Sequence, residues 1–272
     1  MTVLADLLRR APAPVKRVLT RIARKARKPK TKRERRAAQV LLDALPSGPS
    51  GLPEGVLDCV VAFNQHGAYC VPRSAAHRPS ARTVLVGKVW EDRTIALVNG
   101  VDGNIVHAGT FFGDFLPALA RSRPQSTVWA FEPNEESYRC AAMTVMLNGL
   151  TNVRLLHAGL DARSGDGLLR TVSDAGRPLG GASRLTTAVE GLGERVSLVS
   201  IDEAVTDPVS VIQLDVEGYE QSALTGALDT LRRRRPLLIL ESLPDSDWMQ
   251  ANLAPLGYRR KGYVDGNHVL RA

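Results

Sequence analysis

From residue 104 onward the chain repeats one unit, and that repetition constrains its fold more than any other feature. An apolar run of five or six residues is followed by a turn and then by a helical stretch. The runs are 104–108, 127–131, 153–157, 210–215 and 236–240; the helical stretches are 115–121, 135–147 and 219–233. Short buried strands alternating with amphipathic helices predict an α/β fold, a doubly wound, mostly parallel sheet with helices on both faces. Ligands in such folds bind beyond the carboxyl ends of the strands, where the strand order reverses. Only the polar stretch between residues 158 and 209, with two short strand-like runs, interrupts the pattern.

Three strand ends carry residues suited to a ligand: His107-Ala-Gly-Thr-Phe-Phe-Gly113, Glu132-Pro-Asn134 and Asp215-Val-Glu-Gly218. Gly109 and Gly113 permit a tight turn and close backbone approach, and Glu132 stands where a carboxylate accepts protons from both ribose hydroxyls. The G-x-G-x-x-G spacing that cradles a pyrophosphate is absent, which favours a nucleoside without a diphosphate, such as S-adenosylmethionine (SAM). Asp215 and Glu217 precede a helix and serve equally as capping carboxylates or as catalytic groups. Glu241, directly after the last apolar run, is a further active-site carboxylate or a partner for Arg232–Arg235. His66 and His77 flank Tyr69 in a segment able to cover a pocket, where either is a general-base candidate; a loop histidine is more often merely solvated.

Four blocks, Val128-Trp-Ala-Phe-Glu-Pro-Asn134, Leu147-Asn-Gly-Leu-Thr-Asn-Val153, Gln213-Leu-Asp-Val-Glu-Gly-Tyr-Glu220 and Leu231-Arg-Arg-Arg-Arg-Pro-Leu-Leu-Ile-Leu-Glu241, resemble the FkbM methyltransferases in order and spacing. The resemblance extends over roughly residues 90–262. It implies a class I, Rossmann-like domain that uses SAM to methylate a hydroxyl, typically on a sugar of a glycan, glycolipid or secondary metabolite. It assigns the loop of His107, Gly109, Thr110, Gly113 and Asp114 to the methionine end of SAM. Glu132, with Pro133 and Asn134, falls to the ribose, and Gly159, Leu160 and Asp161 fall near the adenine. Glu91, in Trp90-Glu-Asp-Arg-Thr94, resembles an element completing the methionine pocket. Asp215, Glu217 and Glu241 are then the candidates for proton removal and acceptor orientation, with a divalent metal between them as an option. Two departures from the family pattern stand out: its first loop usually begins with an aspartate, in a pattern like Asp-x-Gly-Ala-Asn-x-Gly, where this chain has His107, Thr110 and Phe111, and Gln213 stands where a lysine is often found.

The region before residue 104 is different in character. Residues 1–36 hold 14 Lys and Arg against Asp6 and Glu34, a net charge of +12. The whole chain carries +8, so residues 37–272 carry −4 and the basic character belongs to the N-terminal segment. We divide the chain into a basic extension with a Pro/Gly/Ser linker, residues 1–53, and a methyltransferase domain, 54–272, whose lead-in contains β-like runs at 83–86 and 94–98. The extension suggests a solvated arm, contact with an anionic membrane surface, or an RNA footprint. Three rivals therefore stand: a hydroxyl methyltransferase, an RNA methyltransferase and a degenerate SAM-binding scaffold. Three cysteines without ligand spacing suggest neither a disulfide framework nor a zinc site. No run of 18 apolar residues occurs, so the expected protein is cytoplasmic, with peripheral placement at the inner membrane face as an option.

Overall fold

The computed structural model describes residues 57–173, 176, 179–186 and 193–272. The basic extension and the linker lie outside the described residues. The chain starts with a hairpin of β1 (Cys59–Phe63) and β2 (Ala68–Pro72), followed by helices α1 (Pro79–Leu85) and α2 (Asp92–Asn99). Then come β3 (Asn104–Ala108), α3 (Leu116–Ser122), β4 (Val128–Phe131), α4 (Glu135–Asn148) and β5 (Val153–Leu156). An excursion follows, with β6 (Gly159–Leu160), β7 (Gly165–Arg170), β8 (Arg184–Thr186) and β9 (Gly193–Val199). The chain returns through α5 (Ile201–Ala204), β10 (Val209–Leu214), α6 (Glu220–Thr225), α7 (Leu228–Arg234), β11 (Leu237–Leu240), α8 (Ser246–Asn252), β12 (Arg259–Val264) and β13 (Asn267–Arg271).

Seven strands form the main sheet in the order β12-β13-β11-β10-β3-β4-β5. The five from β11 to β5 are parallel, and β13 runs antiparallel to both of its neighbours. The order reverses between β3 and β10, which places a crevice at their carboxyl ends. Side chains alternate between faces along each strand. Ile105, Val128, Val211 and Ile239 pack with α2 and α3, while Val106, Ile212, Leu214, Leu238 and Leu240 pack with α6 and α7 on the other face. Fully buried Leu or Ile side chains each contribute about 1.5–3 kcal/mol. The two layers together therefore hold the strand ends rigidly in register.

Local signals fix α4, which starts where the Asn134 side chain accepts from the Ser137 N–H at 2.9 Å and stops at Gly149 in the left-handed region. The β1–β2 hairpin docks on this helix. Cys70 N–H donates to Thr144 Oγ1 at 3.0 Å, and Asn148 both accepts from Ala68 N–H and donates to Ala68 O.

Two expectations are corrected. The β-like runs at 83–86 and 94–98 belong to helices α1 and α2. Ala81 with Val84, and Ile95 with Val98, are buried three residues apart, so the helical period of burial outweighs the β-branched composition. The helical stretch 219–233 is also divided into α6 and α7 at Gly226, where a β-carbon would meet the Asp161 carbonyl oxygen at 2.2 Å. Between residues 158 and 209, where two strand-like runs were expected, four strands form a separate sheet in the order β6-β9-β7-β8. Among the described residues, no helix is long and apolar enough to cross a membrane.

Candidate active site

Parallel register puts His107 beside Gln213, and Gln213 beside Ile239, on adjacent strands. Two residues further on, the same face carries Gly109, Asp215 and Glu241, and Glu132 follows Ala130 on β4 in the same way. The sheet thus delivers a row of polar groups to its carboxyl edge, above an apolar layer.

The loop after β3 leans directly on the end of β10. Gly109 has φ +78°, and a β-carbon there would lie 1.8 Å from the Asp215 carbonyl oxygen. Asp215 N–H donates to Ala108 O at 3.1 Å, and Glu241 N–H to Leu214 O at 3.0 Å, which extends the ladder into the site. Glu132 is buried at the end of β4. Its Oε2 accepts from Phe111 N–H at 2.6 Å and its Oε1 from Asn134 N–H at 2.9 Å. Each oxygen keeps a second lone-pair direction for a ligand. Burial pushes its carboxyl up to about 8, against the pull of those two N–H groups.

Two cavities open on this edge and share Gly109, Gly181 and Asp215. The first is bordered by Phe131, Glu132, Pro133, Gly159 and Leu160 from the main chain path, and by Leu169, Gly180 and Leu185 from the excursion. The second, of about 160 Å³, is walled by Trp90, Glu91, His107, Asp114, Asp215, Glu217 and Glu241, with Arg78 at its border. Burial, and next the Glu91 charge, raise Asp114 to about 7. Burial raises Glu91 too, although Asn267 Nδ2 donates to it at 2.7 Å. Asp215 is held well above the ordinary carboxylate range, first by burial and then by Glu241, Glu91 and Glu217. Carboxylate oxygens of Asp215, Glu217 and Glu241 all lie within 4.8 Å of one another.

His107 is buried and stacks on Phe115, ring centroids 5.2 Å apart. Its Nδ1 donates to Gln213 Oε1, and its Nε2 has no partner. Burial lowers the imidazole to about 4, so the ring is neutral near pH 7.

Other sequence candidates stand elsewhere. Thr110 Oγ1 donates to His107 O at 3.3 Å, and Gly113 packs against Leu116 and Thr144; neither borders the two cavities. Asn134 is occupied as the cap of α4. Asp161 borders a neighbouring cavity that shares Leu185 and Tyr219 with the first. His66 sits in the β1–β2 turn, where its carbonyl accepts from Arg121, and neither it nor His77 borders the two cavities. Sequence reasoning did not point to Trp90, Arg78 or the walls at Leu169, Gly180, Gly181 and Leu185. Their separation in sequence from the strand ends hides them, although Trp90 adjoins Glu91.

A parallel sheet with a terminal antiparallel strand pair, and its polar row at the switch point, defines a class I, Rossmann-like methyltransferase fold. The family model for the FkbM methyltransferase domain matches residues 106–263, more than half of the chain, and the protein belongs to that family. Solved structures with similar folds include an FkbM methyltransferase from Methylobacillus flagellatus KT. It is 16% identical with a TM-score of 0.40, and the match covers 62% of this chain and 43% of that one. The match therefore spans less than half the length of that relative. A SAM-dependent methyltransferase from Aquifex aeolicus is 16% identical with a TM-score of 0.37, covering 67% of this chain and 88% of that one. TYW2 from M. jannaschii, solved with AdoMet, is 12% identical with a TM-score of 0.42, covering 80% and 86%. No curated protein sequence matches the chain.

Proposed function

We propose that the protein transfers a methyl group from SAM to a hydroxyl of a sugar-bearing acceptor. The observation that carries this reading is the carboxylate cluster of Asp215, Glu217 and Glu241 beside the glycine loop, where the two cavities join. SAM, when bound, supplies a methyl group already activated on a sulfonium.

The chain's own groups fit that cofactor. The first cavity takes the nucleoside, with Glu132 accepting from the ribose hydroxyls and Gly159 and Leu160 against the adenine. Gly109 leaves the space that a side chain would fill, so the methionine portion passes close to the backbone. Glu91 and Asp114 offer acceptors to its ammonium. The first cavity is narrow, about 40 Å³, so the Gly180–Ala182 turn and Leu185 have to lift for adenosine to enter.

At the acceptor end, the protein aligns a hydroxyl and removes its proton, since orientation and general-base action are what the transfer still requires. Asp215 or Glu217 accepts that proton, with Glu241 the next candidate. Carboxylates beside the Trp90 indole suit a polyhydroxylated ring, which has hydroxyls to donate and an apolar face to stack. The +12 segment, residues 1–36, would hold the enzyme near anionic lipid where a glycolipid acceptor is concentrated. Mass spectrometry of host glycans and lipids, with and without the protein, tests the reading. A sugar methyl group should disappear with the protein, and identical methylation patterns would sink the proposal.

A further inference from the structure

Five carboxyl groups, those of Glu91, Asp114, Asp215, Glu217 and Glu241, border the second cavity. Among its described walls Arg78 is the one cation, because the buried His107 ring is neutral near pH 7. The first cavity has no Lys or Arg along its described walls.

An arginine bordering so acidic a space would ordinarily be claimed by one of the acids. Among the described residues, however, the Arg78 side chain forms no ion pair and no hydrogen bond. Its backbone is what holds it in place. The Arg78 N–H donates to Ala75 O at 2.9 Å, and its carbonyl accepts from Arg82 N–H at 2.9 Å. Pro79 follows and keeps the residue extended, at φ −69° and ψ 147°. A half-buried guanidinium is thereby anchored at the cavity border with its N–H donors uncommitted.

The methionine portion of SAM carries an ammonium and a carboxylate on one carbon, so both must be met within the same cavity. Glu91 and Asp114 suit the ammonium. The same acidic walls repel the carboxylate unless a cation faces it. A guanidinium meets a carboxylate through two parallel N–H bonds, which fixes orientation as well as charge.

We propose that Arg78 binds the carboxylate of the methionine portion of SAM. The assignment rests on the SAM reading above and adds a selectivity to it. The pocket distinguishes SAM from decarboxylated SAM, which keeps the sulfonium and the ammonium and lacks only the carboxylate.

Those two ligands are the probes, titrated calorimetrically into the full-length wild type, Arg78→Ala and Arg78→Lys. Wild type should bind SAM at least about ten-fold more tightly than decarboxylated SAM, and Arg78→Ala should lose that factor for SAM alone. Arg78→Lys should keep part of the preference, since it retains the charge without the planar fork. Undiminished binding of decarboxylated SAM by Arg78→Ala also shows that the variant has folded. SAM affinity unchanged in Arg78→Ala, or an equal loss for both ligands, would overturn the assignment and leave the SAM reading intact. A wild type that binds neither ligand would overturn both.

Discussion

His107 and Gln213 stand at the same register on two adjacent parallel strands, joined through Nδ1 and Oε1. This yields a stability prediction. His107→Asp or Gln213→Lys alone buries an unpaired charge and should cost about 3 kcal/mol or more. The double variant should recover on the order of 1–3 kcal/mol of coupling in chemical denaturation, whereas strictly additive losses would show that the residues act independently.

Glu132→Ala should weaken SAM binding about ten-fold or more, because charge-assisted hydrogen bonds are worth roughly 1.5–3 kcal/mol each. Calorimetric titration measures this. Unchanged affinity would remove Glu132 from the ribose site.

Stability should fall as pH rises from 6.5 to 8. The Glu132 carboxyl moves from an ordinary 4.5 up to about 8, and that of Asp114 from 3.8 up to about 7. A raised carboxyl favours the folded state while protonated and loses that advantage as pH rises through its folded value. His107 acts in the opposite sense, its depressed value of about 4 costing stability only below an ordinary 6.5. Melting temperatures of wild type and Glu132→Gln across pH 6.5–8 provide the check. The variant's slope should be shallower, and parallel slopes would contradict the assignment.

Gly109→Ala should be destabilising by on the order of 3 kcal/mol, since left-handed backbone alone costs a residue with a β-carbon roughly 1–2 kcal/mol. The rest comes from displacing the Asp215 carbonyl. Thermal denaturation tests the first effect and SAM titration the accompanying loss of binding. A variant as stable as wild type would mean that the loop relaxes freely.

Replacing Lys16, Arg17, Arg24 and Lys25 by Glu should abolish flotation with anionic vesicles while leaving SAM affinity unchanged. High salt should release the wild type, since exposed charges are screened beyond about 8 Å at physiological ionic strength. Equal flotation of both proteins would eliminate the anchoring role, and binding to RNA but not to vesicles would favour the nucleic-acid reading.

The parallel strands were legible because β3, β4, β10 and β11 are apolar runs followed directly by Gly109, Glu132, Asp215 and Glu241, and buried strands tolerate little but apolar residues. The same runs located Glu132, Asp215 and Glu241, whose place depends only on strand ends. The segment 79–99 misled because Thr, Val and Ile there suggest strands, while its burial follows a helical period set by the packing of α1 on the β1–β2 hairpin and of α2 on α3. The cavity walls at Leu169, Gly180 and Leu185 depend on tertiary packing around a separate sheet, and Trp90 reaches the site by packing on the α2–α3 face of the main sheet. No short-range pattern encodes that placement. The His107–Gln213 contact was equally hidden, since it needs the order β10-β3 as well as both strands.

Among the described residues the main sheet ends at β12, whose outer side has no strand partner. Arg259, Arg260 and Lys261 follow one another there, all exposed. A second copy adding its own β12 in antiparallel fashion would bring the same cationic row against this one. Like charges facing across strands repel, and lysine- and arginine-rich edges are a common protection against unwanted strand addition. A charged outer strand of this kind disfavours sheet-to-sheet addition between copies of the protein when its concentration is high.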